Sequence, residues 1–521
     1  MMNYLRGILS SSRLLEEVIR RWGEPGLFIL FSLISLNHIW AQYAFITLDG
    51  PSHLYNSKLL LDINIGEALS KYYSVQYPYL PNYCSHVFTG ILLNFFDPLI
   101  AEKILISSIL ILLTFSTRHL VLVMRGDFGY FTFLIFLLPF NKLLQNGFYN
   151  FIAAFAFMNF AMVIFFKYKN TQGKISGVIY ATLNGVLLYY SNLLVFALTF
   201  LIITIWSFVH YNSSEKLKLK NFIYLLTFLP GLVMGIFFLS STSISNYNYD
   251  MSQFDKVISL ICFDIGATFD TQNEIPYTSL ITILLCFSMG FIAGGRRVFL
   301  RKLKQLFSIN IFLVVSLCSI FLVFISKDGD FGGMFSRRLF FIIFYFAILW
   351  IIIKLEWKML FFAGSLIICF VVFLNLMLVR SKMFKEAEPV VRSVIETGKY
   401  IPDHSLVHSI NLSHMWYEQH YSSYLGIYNS PVLMDNYEAV LRWFPIVWKK
   451  DLLYYLLSVQ NNIIDENTPD YVYVFGDIKR FKEEGYLPTQ QFIESNCELV
   501  YQSENALNHL YKVNKFKQDL N

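Results

Sequence analysis

Five polar side chains suited to acid–base or anion chemistry lie close together, between Asp49 and Lys58. They are a carboxylate, an imidazole, a phenol, an amide and an amine, at Asp49, His53, Tyr55, Asn56 and Lys58. The stretch directly follows the first long apolar run, 26–46. A carboxylate at the end of a membrane-spanning helix is partly desolvated, which suits it to act as a general base. Asp49 is therefore the leading catalytic candidate.

The residues after Asp49 predict a helix that presents polar side chains together. Gly50-Pro51 forces a turn, and proline favours the first position of a helix. A helix that begins there places Ser52, Tyr55 and Asn56 on one face, by i, i+3 and i+4 spacing. The alternative role for Asp49 is structural, because aspartate is a good helix cap.

The composition indicates a polytopic helical membrane protein. Of the 521 residues, 55% are hydrophobic and 15% are charged, and the mean hydropathy is +0.50. Soluble proteins carry about 25% charged residues. Long apolar runs recur between residues 26 and 378, each a candidate for a membrane span. The net charge of +5 comes from basic residues in short loops between these runs, which indicates membrane orientation and not nucleic-acid binding.

The distribution of basic residues predicts the topology. Arginines precede the first span, at Arg6, Arg13, Arg20 and Arg21. By the positive-inside rule, the N-terminal segment 1–25 is cytoplasmic and Asp49 emerges on the opposite face. We expect a transmembrane domain over 26–379 with an external loop at 47–82. The hydropathy pattern gives eleven spans, one of them at about 128–140, or thirteen if two short crossings are added, so the C-terminus is extracytoplasmic.

The last part of the chain, 380–521, has the pattern of a small soluble α/β domain. Its apolar runs shorten to the length of strands, and the last two form a hairpin. The predicted strands are 406–410, 431–434, 471–475, 499–501 and 509–513. Helical patterns occur at 386–397 and 436–459.

A second candidate site is the arginine pair Arg337-Arg338, in the last external loop before the final spans. Two arginines on the outer face run against the positive-inside trend and therefore need an anionic partner. The phosphate of a lipid carrier is a natural one, because guanidinium binds phosphate bidentately. The alternatives are lipid headgroups, or pairing with Asp328 and Asp330.

Other polar residues are weaker candidates. Lys58 could reach a phosphate, or could snorkel to the membrane surface. Asn146 and Tyr149 lie at the end of a span, where they could bind sugar hydroxyls or cap the helix. In the C-terminal domain, His414 and Asp435 are possible acceptor contacts or plain surface residues. No histidine spacing indicates a metal site, although a divalent metal stays possible.

The layout as a whole resembles the GT-C glycosyltransferases. An acid follows the first span, a long external loop comes next, and a soluble domain ends the chain. The segment 77–82, followed by an apolar helix that ends at Asp97-Pro98, is similar to the Pro-rich start of the second helix in that superfamily. The protein O-mannosyltransferases and aminoarabinose transferases belong to it. Their signature has a second acid beside the first, where this chain has Gly50.

The resemblance implies a glycosyltransferase in the bacterial inner membrane. It would take a sugar from a polyprenyl-phosphate carrier and transfer it, with inversion, to a glycan, lipid or protein acceptor outside the cytoplasm. Asp49 would be the general base, and His53 and Tyr55 would line the pocket. Arg337, Arg338 and Lys58 would stabilise the leaving phosphate. The alternative is a non-catalytic membrane scaffold, or a lipid-binding or transport protein of the same architecture.

Overall fold

The computed structural model describes residues 22–63, 67–76, 79–170, 175–209, 222–241, 251–294, 310–327, 334–356, 359–441, 443–449, 468–482 and 486–515. The helices are α1 (Glu24–Trp40), α2 (Gly50–Asp62), α3 (Glu67–Ser70), α4 (Cys84–Leu93), α5 (Pro98–Arg125), α6 (Lys142–Gln145), α7 (Tyr149–Asn170), α8 (Ile175–Ser191), α9 (Leu193–Val209), α10 (Leu229–Ser241), α11 (Gln253–Ile261), α12 (Thr271–Gly294), α13 (Ile311–Ile325), α14 (Phe335–Lys354), α15 (Met359–Gly398) and α16 (Leu487–Asn496). The strands are β1 (Tyr73–Val75), β2 (Leu406–Leu412), β3 (Val432–Leu433), β4 (Ile446–Trp448), β5 (Tyr471–Gly476), β6 (Cys497–Gln502) and β7 (Asn508–Val513).

The structure confirms a helical membrane protein with a small strand-containing C-terminal part. Among the described residues, six helices are long and apolar enough to cross a membrane. They are Pro98–Arg125, Tyr149–Lys167, Phe222–Ser241, Thr271–Ile292, Phe335–Lys354 and Phe361–Gly398. Shorter apolar helices, α9 and α13 among them, are further candidates. Where the sequence predicted a crossing at about 128–140, the structure has a six-residue 3-10 helix, Thr132–Leu137, and no continuous α-helix.

The chain divides into two compact units. The helical unit contains Met1–Ala41, Ser107–Leu144 and Tyr149–Lys382. The mixed unit contains Gln42–Ile106, Gln145–Phe148 and Met383–Asn521. The C-terminal domain therefore shares its unit with the loop that carries Asp49, which the sequence pattern did not predict.

In the helical unit, α14 forms the core and is buried along nearly its whole length. The Tyr345 hydroxyl donates a hydrogen bond to Asn159 Oδ1 at 2.7 Å, and the ring of Phe341 packs edge-on against Phe155. Arg125 caps the C-terminal end of α14, because its Nη1 donates to the carbonyls of Ile353 and Leu355 at 2.9 and 3.1 Å. These contacts fix α14 along its length and at its C-terminal end.

In the mixed unit, a five-stranded sheet has the order β3-β2-β5-β7-β6. Strand β2 runs parallel to β3 and β5, whereas β7 runs antiparallel to β5 and β6. All five predicted strands are confirmed, together with the closing hairpin. The helical prediction for 436–459 is wrong in its described part, where a 3-10 turn precedes strand β4. Strand β4 pairs with β1 and so ties the C-terminal segment to the loop after α2.

Helix α4 is polar on its buried side and apolar on its exposed side. It buries Ser85, His86 and Thr89, and it exposes Val87 and Ile91. This is the reverse of a water-soluble helix, and it suits a helix that lies at a membrane surface. The buried face packs on α2, where Gly90 lets the helices approach: a Cβ there would lie 3.4 Å from the Ser57 carbonyl oxygen.

Candidate active site

Asp49 directly precedes α2, and its carboxylate does not cap the helix. The residue occupies the cap position, yet its side chain makes no capping hydrogen bond. The Gly50 amide instead donates to Thr47 Oγ1 at 3.0 Å. The Asp49 side chain is 19% exposed. The carboxylate is thus available for chemistry, and capping does not account for it.

Burial raises the pKa of Asp49 to about 7. The cationic imidazole of His53 and the Tyr437 hydroxyl act in the opposite direction and lower it, while the Glu438 carboxylate raises it further. A carboxylate with a pKa near neutrality accepts a proton far better than an ordinary aspartate does.

Gly147 brings the sequence around Asn146 against Asp49. Its backbone has φ +89°, and a Cβ at this position would lie 2.6 Å from the Asp49 Cβ. The Leu48 amide donates to the Gln145 carbonyl at 2.9 Å, and the Gln145 amide donates to the Ile46 carbonyl. Only glycine fits so close to the neighbouring backbone in this conformation.

His53 lies between two hydrogen-bond acceptors. Its Nδ1 is 2.7 Å from Glu438 Oε1, and its Nε2 is 2.9 Å from the Gly147 carbonyl oxygen. A carboxylate beside one ring nitrogen and a carbonyl oxygen beside the other favour the doubly protonated, cationic form of His53. Burial acts to lower the pKa of His53, but the Glu438 carboxylate outweighs it and the pKa rises to about 9.

Glu438 is the anion that holds two histidines. Its second oxygen is 3.0 Å from His86 Nε2, and the rings of His53 and His86 meet edge-on with centroids 4.8 Å apart. Burial raises the pKa of Glu438, yet the two histidines outweigh it and lower that pKa to about 2. Glu438 is therefore ionised at any physiological pH.

His53, His86 and Glu438 are also the one group in the described part of the chain that could hold a metal ion. Their donor atoms all lie within 4.8 Å of one another. Two histidines and a carboxylate are a donor set that zinc uses. The same side chains also pair directly with one another, at 2.7 Å between His53 Nδ1 and Glu438 Oε1 and at 3.0 Å between His86 Nε2 and Glu438 Oε2. The geometry therefore favours a buried ion-pair network over a metal centre.

Two residues of the C-terminal segment complete the surroundings of Asp49. His420 Nε2 is 3.5 Å from Asp49 Oδ1, and its side chain is 24% exposed. Its ring stacks on Tyr437 with centroids 4.2 Å apart. Burial lowers the pKa of His420 to about 4, so this imidazole is neutral.

The predicted polar face of α2 is confirmed, and the C-terminal segment covers it. Ser52 meets Ser423 at 3.1 Å, and the Tyr55 hydroxyl donates to the Pro431 carbonyl at 2.7 Å. The Asn56 and Asn436 side chains exchange hydrogen bonds, at 3.0 and 2.9 Å. The face therefore serves to bind the C-terminal segment.

Tyr55 and Lys58 are committed to this packing. The Tyr55 ring is buried against Gly426, where a Cβ would come within 2.5 Å of it. Lys58 Nζ pairs with Asp62 at 2.8 Å and also contacts Ser430. These contacts give both residues a part in the packing, and the pocket and phosphate roles that the sequence suggested stay predictions.

The remaining predicted residues divide between the units. Asn146 is buried in the mixed unit, and Tyr149 is buried at the start of α7 in the helical unit. His414 is exposed, and Asp435 accepts a hydrogen bond from Ser422 at 2.6 Å. No described contact joins either side chain to Asp49, so their predicted role in binding the sugar acceptor stays a prediction.

Arg337 and Arg338 lie in the first turn of α14, in the helical unit. Arg337 Nη1 contacts Met334 Sδ at 3.8 Å, and its Nε is buried without a hydrogen-bond partner among the described residues. Burial lowers the pKa of Lys142, and the charge of Arg337 also lowers it. The carboxylate of Asp264, 3.3 Å from Lys142 Nζ, acts in the opposite direction and raises that pKa. Lys142 therefore belongs to an ion pair with Asp264. The proposed partners Asp328 and Asp330 lie outside the described residues.

Sequence reasoning missed four residues of the Asp49 site: His86, His420, Tyr437 and Glu438. Their positions carry no motif, because they come from α4 and from irregular turns of the C-terminal segment. One usable signal was the sequence Asp435-Asn436-Tyr437-Glu438, which places several polar side chains in the midst of strand-length apolar runs.

No protein-family model matches the chain, and no curated protein matches its sequence significantly. The chain is similar in structure to ArnT from Cupriavidus metallidurans, solved in the apo state, with 9% identity and a TM-score of 0.45. That match covers 94% of this chain and 98% of the other. It is also similar to the Archaeoglobus fulgidus oligosaccharyltransferase, solved in complex with Zn and sulfate, with 12% identity and a TM-score of 0.42, over 94% of this chain and 73% of the other. Both are GT-C proteins.

Proposed function

We propose that this protein is a membrane glycosyltransferase that moves a sugar from a polyprenyl-phosphate carrier to an acceptor hydroxyl outside the cytoplasm. The observation that carries the proposal is the Asp49 carboxylate. It is partly exposed and makes no capping bond, and its pKa is raised to about 7. Its place after the first apolar helix is also where the sequence resembles the GT-C enzymes.

The reaction needs one base and one anion-binding group. Asp49 takes the proton of the acceptor hydroxyl as the oxygen attacks carbon 1 of the sugar. The bond from carbon 1 to the phosphate oxygen breaks, and the phosphate leaves with the electron pair from the opposite face, so the anomeric centre inverts. His53, a fixed imidazolium, favours the ionised form of Asp49 before the proton arrives.

The charge on the leaving phosphate requires cations. Arg337 and Arg338 supply two guanidinium groups, and Arg337 has a buried nitrogen with no hydrogen-bond partner in the part of the chain that the structure describes. Guanidinium forms paired hydrogen bonds with phosphate, which suits a carrier phosphate in the donor and in the leaving group.

The alternative of a non-catalytic scaffold is not favoured by the geometry. A scaffold needs Asp49 only as a helix cap, and the side chain does not cap α2. Burial raises the pKa of Asp49, and carboxylates with such raised pKa values cluster at functional sites.

The test uses purified protein in nanodiscs and a panel of polyprenyl-phosphate-linked pentoses and hexoses. Membranes from a host strain that lacks the gene supply the acceptors. We expect the wild type to release polyprenyl phosphate from at least one donor of the panel. Asp49→Asn should lower the rate by about 100-fold or more, the usual contribution of a general base. Asp127→Asn is the control, because Asp127 lies in the helical unit and its contacts within the described residues are with Arg125 and Gly129. Full activity of Asp49→Asn, or no turnover of any donor by the wild type, contradicts the proposal.

A further inference from the structure

The helical unit contains an apolar groove that the proposed reaction does not use. It lies between α7 and α8 and has a volume of about 510 Å³. Phe160 and Ile164 of α7 line one side, and Leu183 and Leu187 of α8 line the other. The Asn184 amide of α8 donates to a backbone carbonyl of α7 at 2.9 Å, so the two helices are held together beside the groove.

The groove opens on the lipid-facing surface of the helices. α7 is long and apolar enough to cross a membrane from Tyr149 to Lys167. On α8, Tyr180 and Leu183 line the groove and are 66% and 56% exposed, as side chains that face hydrocarbon are. A space of this size in the hydrocarbon region of a membrane holds a lipid chain, because no water is available there.

One charged residue, Lys167, also lines the groove, at its end along α7. Lys167 Nζ lies 3.0 Å from His119 Nε2 of α5. An ammonium group donates hydrogen bonds and cannot accept them, so His119 Nε2 is the acceptor and the imidazole is neutral. The histidine therefore uses one of the three ammonium donors and leaves the positive charge uncompensated.

No carboxylate compensates the charge of Lys167 either. The residue forms no ion pair within the part of the chain that the structure describes. The sequence accounts for this, since no aspartate or glutamate occurs between Asp127 and Glu215, and α7 and α8 therefore carry none. An apolar groove that ends at an uncompensated cation matches the two parts of an anionic lipid, and basic pockets between membrane helices bind anionic headgroups.

We propose that an anionic phospholipid binds between α7 and α8, with its phosphate on Lys167 and one acyl chain in the groove. α7 begins at Tyr149, shortly after Gly147 of the candidate active site, and Lys167 follows about 27 Å further along the helix axis. Lys167 is thus at the far end of the span, in the leaflet that the positive-inside rule makes cytoplasmic. The occupant is therefore a bilayer phospholipid and not the polyprenyl donor, which reacts on the other side.

The helical unit offers a matched control groove along α12. It has a volume of about 780 Å³, and no charged side chain lines it. Gly290 lines this groove, and no atom lies within 4 Å of a Cβ added there, so Gly290→Leu fills part of the space. Gly177, in the first turn of α8, is the corresponding glycine of the α7–α8 groove.

The experiment titrates the delipidated full chain in detergent with phosphatidylglycerol or phosphatidylethanolamine of the same acyl chains, and native mass spectrometry counts the bound lipid. We expect phosphatidylglycerol to bind about fivefold more tightly, equal to about 1 kcal/mol for one lysine beside a headgroup. Lys167→Gln should abolish this difference, and Lys167→Arg should keep it. Gly177→Leu should weaken the binding of both lipids, whereas Gly290→Leu should leave the preference for phosphatidylglycerol at its wild-type value.

Three results would overturn the inference. One is a Lys167→Gln variant that still prefers phosphatidylglycerol. Another is a Gly177→Leu variant that melts cooperatively and binds phosphatidylglycerol as the wild type does. The third is displacement of bound phosphatidylglycerol by polyprenyl phosphate, which would assign the groove to the donor. Lys167 is exposed, so Lys167→Gln folds and decides the question even where Gly177→Leu does not fold. All three results leave the base role of Asp49 standing.

Discussion

Asp49 can act as a base only if it loses its proton near neutral pH, and its neighbours decide whether it does. Burial holds the pKa high, while the fixed imidazolium of His53 keeps it from rising further. That imidazolium exists because Glu438 and the Gly147 carbonyl occupy both ring nitrogens. The chemistry of one residue thus depends on three others, only one of which lies near it in the sequence.

The contact between Gly147 and Asp49 gives a prediction at the residue scale. Gly147→Ala places a methyl group 2.6 Å from the Asp49 Cβ, in a backbone conformation that alanine disfavours by about 1–2 kcal/mol. We expect a loss of activity together with a lower melting temperature, because Asp49 must move. Gly126→Ala is the control: its φ is also positive, +86°, but no atom lies within 4 Å of the added Cβ. Equal effects of the two substitutions on activity would show that Gly147 does not position Asp49.

At the scale of elements, α2 is the centre of the mixed unit. Its polar face meets the C-terminal segment, and its neighbouring side packs on α4. The sequence predicted this helix and the shared face of Ser52, Tyr55 and Asn56, because Gly50-Pro51 and the 3.6-residue repeat are local signals. It could not predict what covers that face, since the partners lie more than 360 residues further along the chain.

The difference between local signals and long-range contacts also explains why the sequence revealed the arginine pair and not the other site residues. Arg337-Arg338 was recognisable because two charges at the end of an apolar run are unusual. Glu438 and His420 were not recognisable, because a polar residue in a turn of a soluble domain is ordinary in sequence. Their contacts with His53 and Asp49 appear only in the folded structure.

The amide pair between α2 and the C-terminal segment gives a prediction for the element. Asn56→Ala leaves the buried Asn436 amide without its partner, and we expect a loss of about 1–3 kcal/mol in the free energy of unfolding. Asn436→Ala should cost a similar amount. The double variant should cost clearly less than the sum, as measured by thermal melting in detergent. Strict additivity of the two losses would mean that the side chains are not coupled.

The His53–Glu438 ion pair predicts how stability depends on pH. The folded pKa of His53, about 9, lies above its ordinary value of about 6.5, so this contribution is complete below pH 6.5 and is lost as the pH rises through 9. Burial raises the folded pKa of Asp49 to about 7, so the folded protein binds this proton more tightly than the unfolded chain does. The contribution of Asp49 to the free energy of unfolding therefore falls between about pH 4 and 7 and stays constant above pH 7. The interval from about pH 7 to 9 therefore isolates His53.

We expect the melting temperature of the wild type to fall across that interval. Glu438→Gln should show a flatter dependence, because His53 then loses the anion that raises its pKa. A melting temperature that is constant from about pH 7 to 9 in the wild type would argue against the ion pair.

At the scale of the whole molecule, the mixed unit unites the loop after the first span with the C-terminal domain. The proposed reaction requires this unit on the outer side of the membrane, where acceptors lie. Alkaline phosphatase fused after Asn521 should therefore be active in whole cells, whereas green fluorescent protein fused there should be dark. A fusion after residue 20 should give the opposite pair of results. A fluorescent C-terminal fusion would place the site on the wrong side and contradict the topology.

The central claim is that Asp49 is the base, and the pH dependence of donor turnover tests it most directly. A base with a pKa of about 7 must be ionised, so kcat/KM should rise about tenfold per pH unit below pH 7 and level off above it. The measurement covers about pH 5 to 9 in nanodiscs, with the residual activity of Asp49→Asn measured in parallel. The account predicts that the rise near pH 7 is present in the wild type and absent from Asp49→Asn. A wild-type rate that is flat from about pH 5 to 7, or a rise that survives in Asp49→Asn, would contradict it.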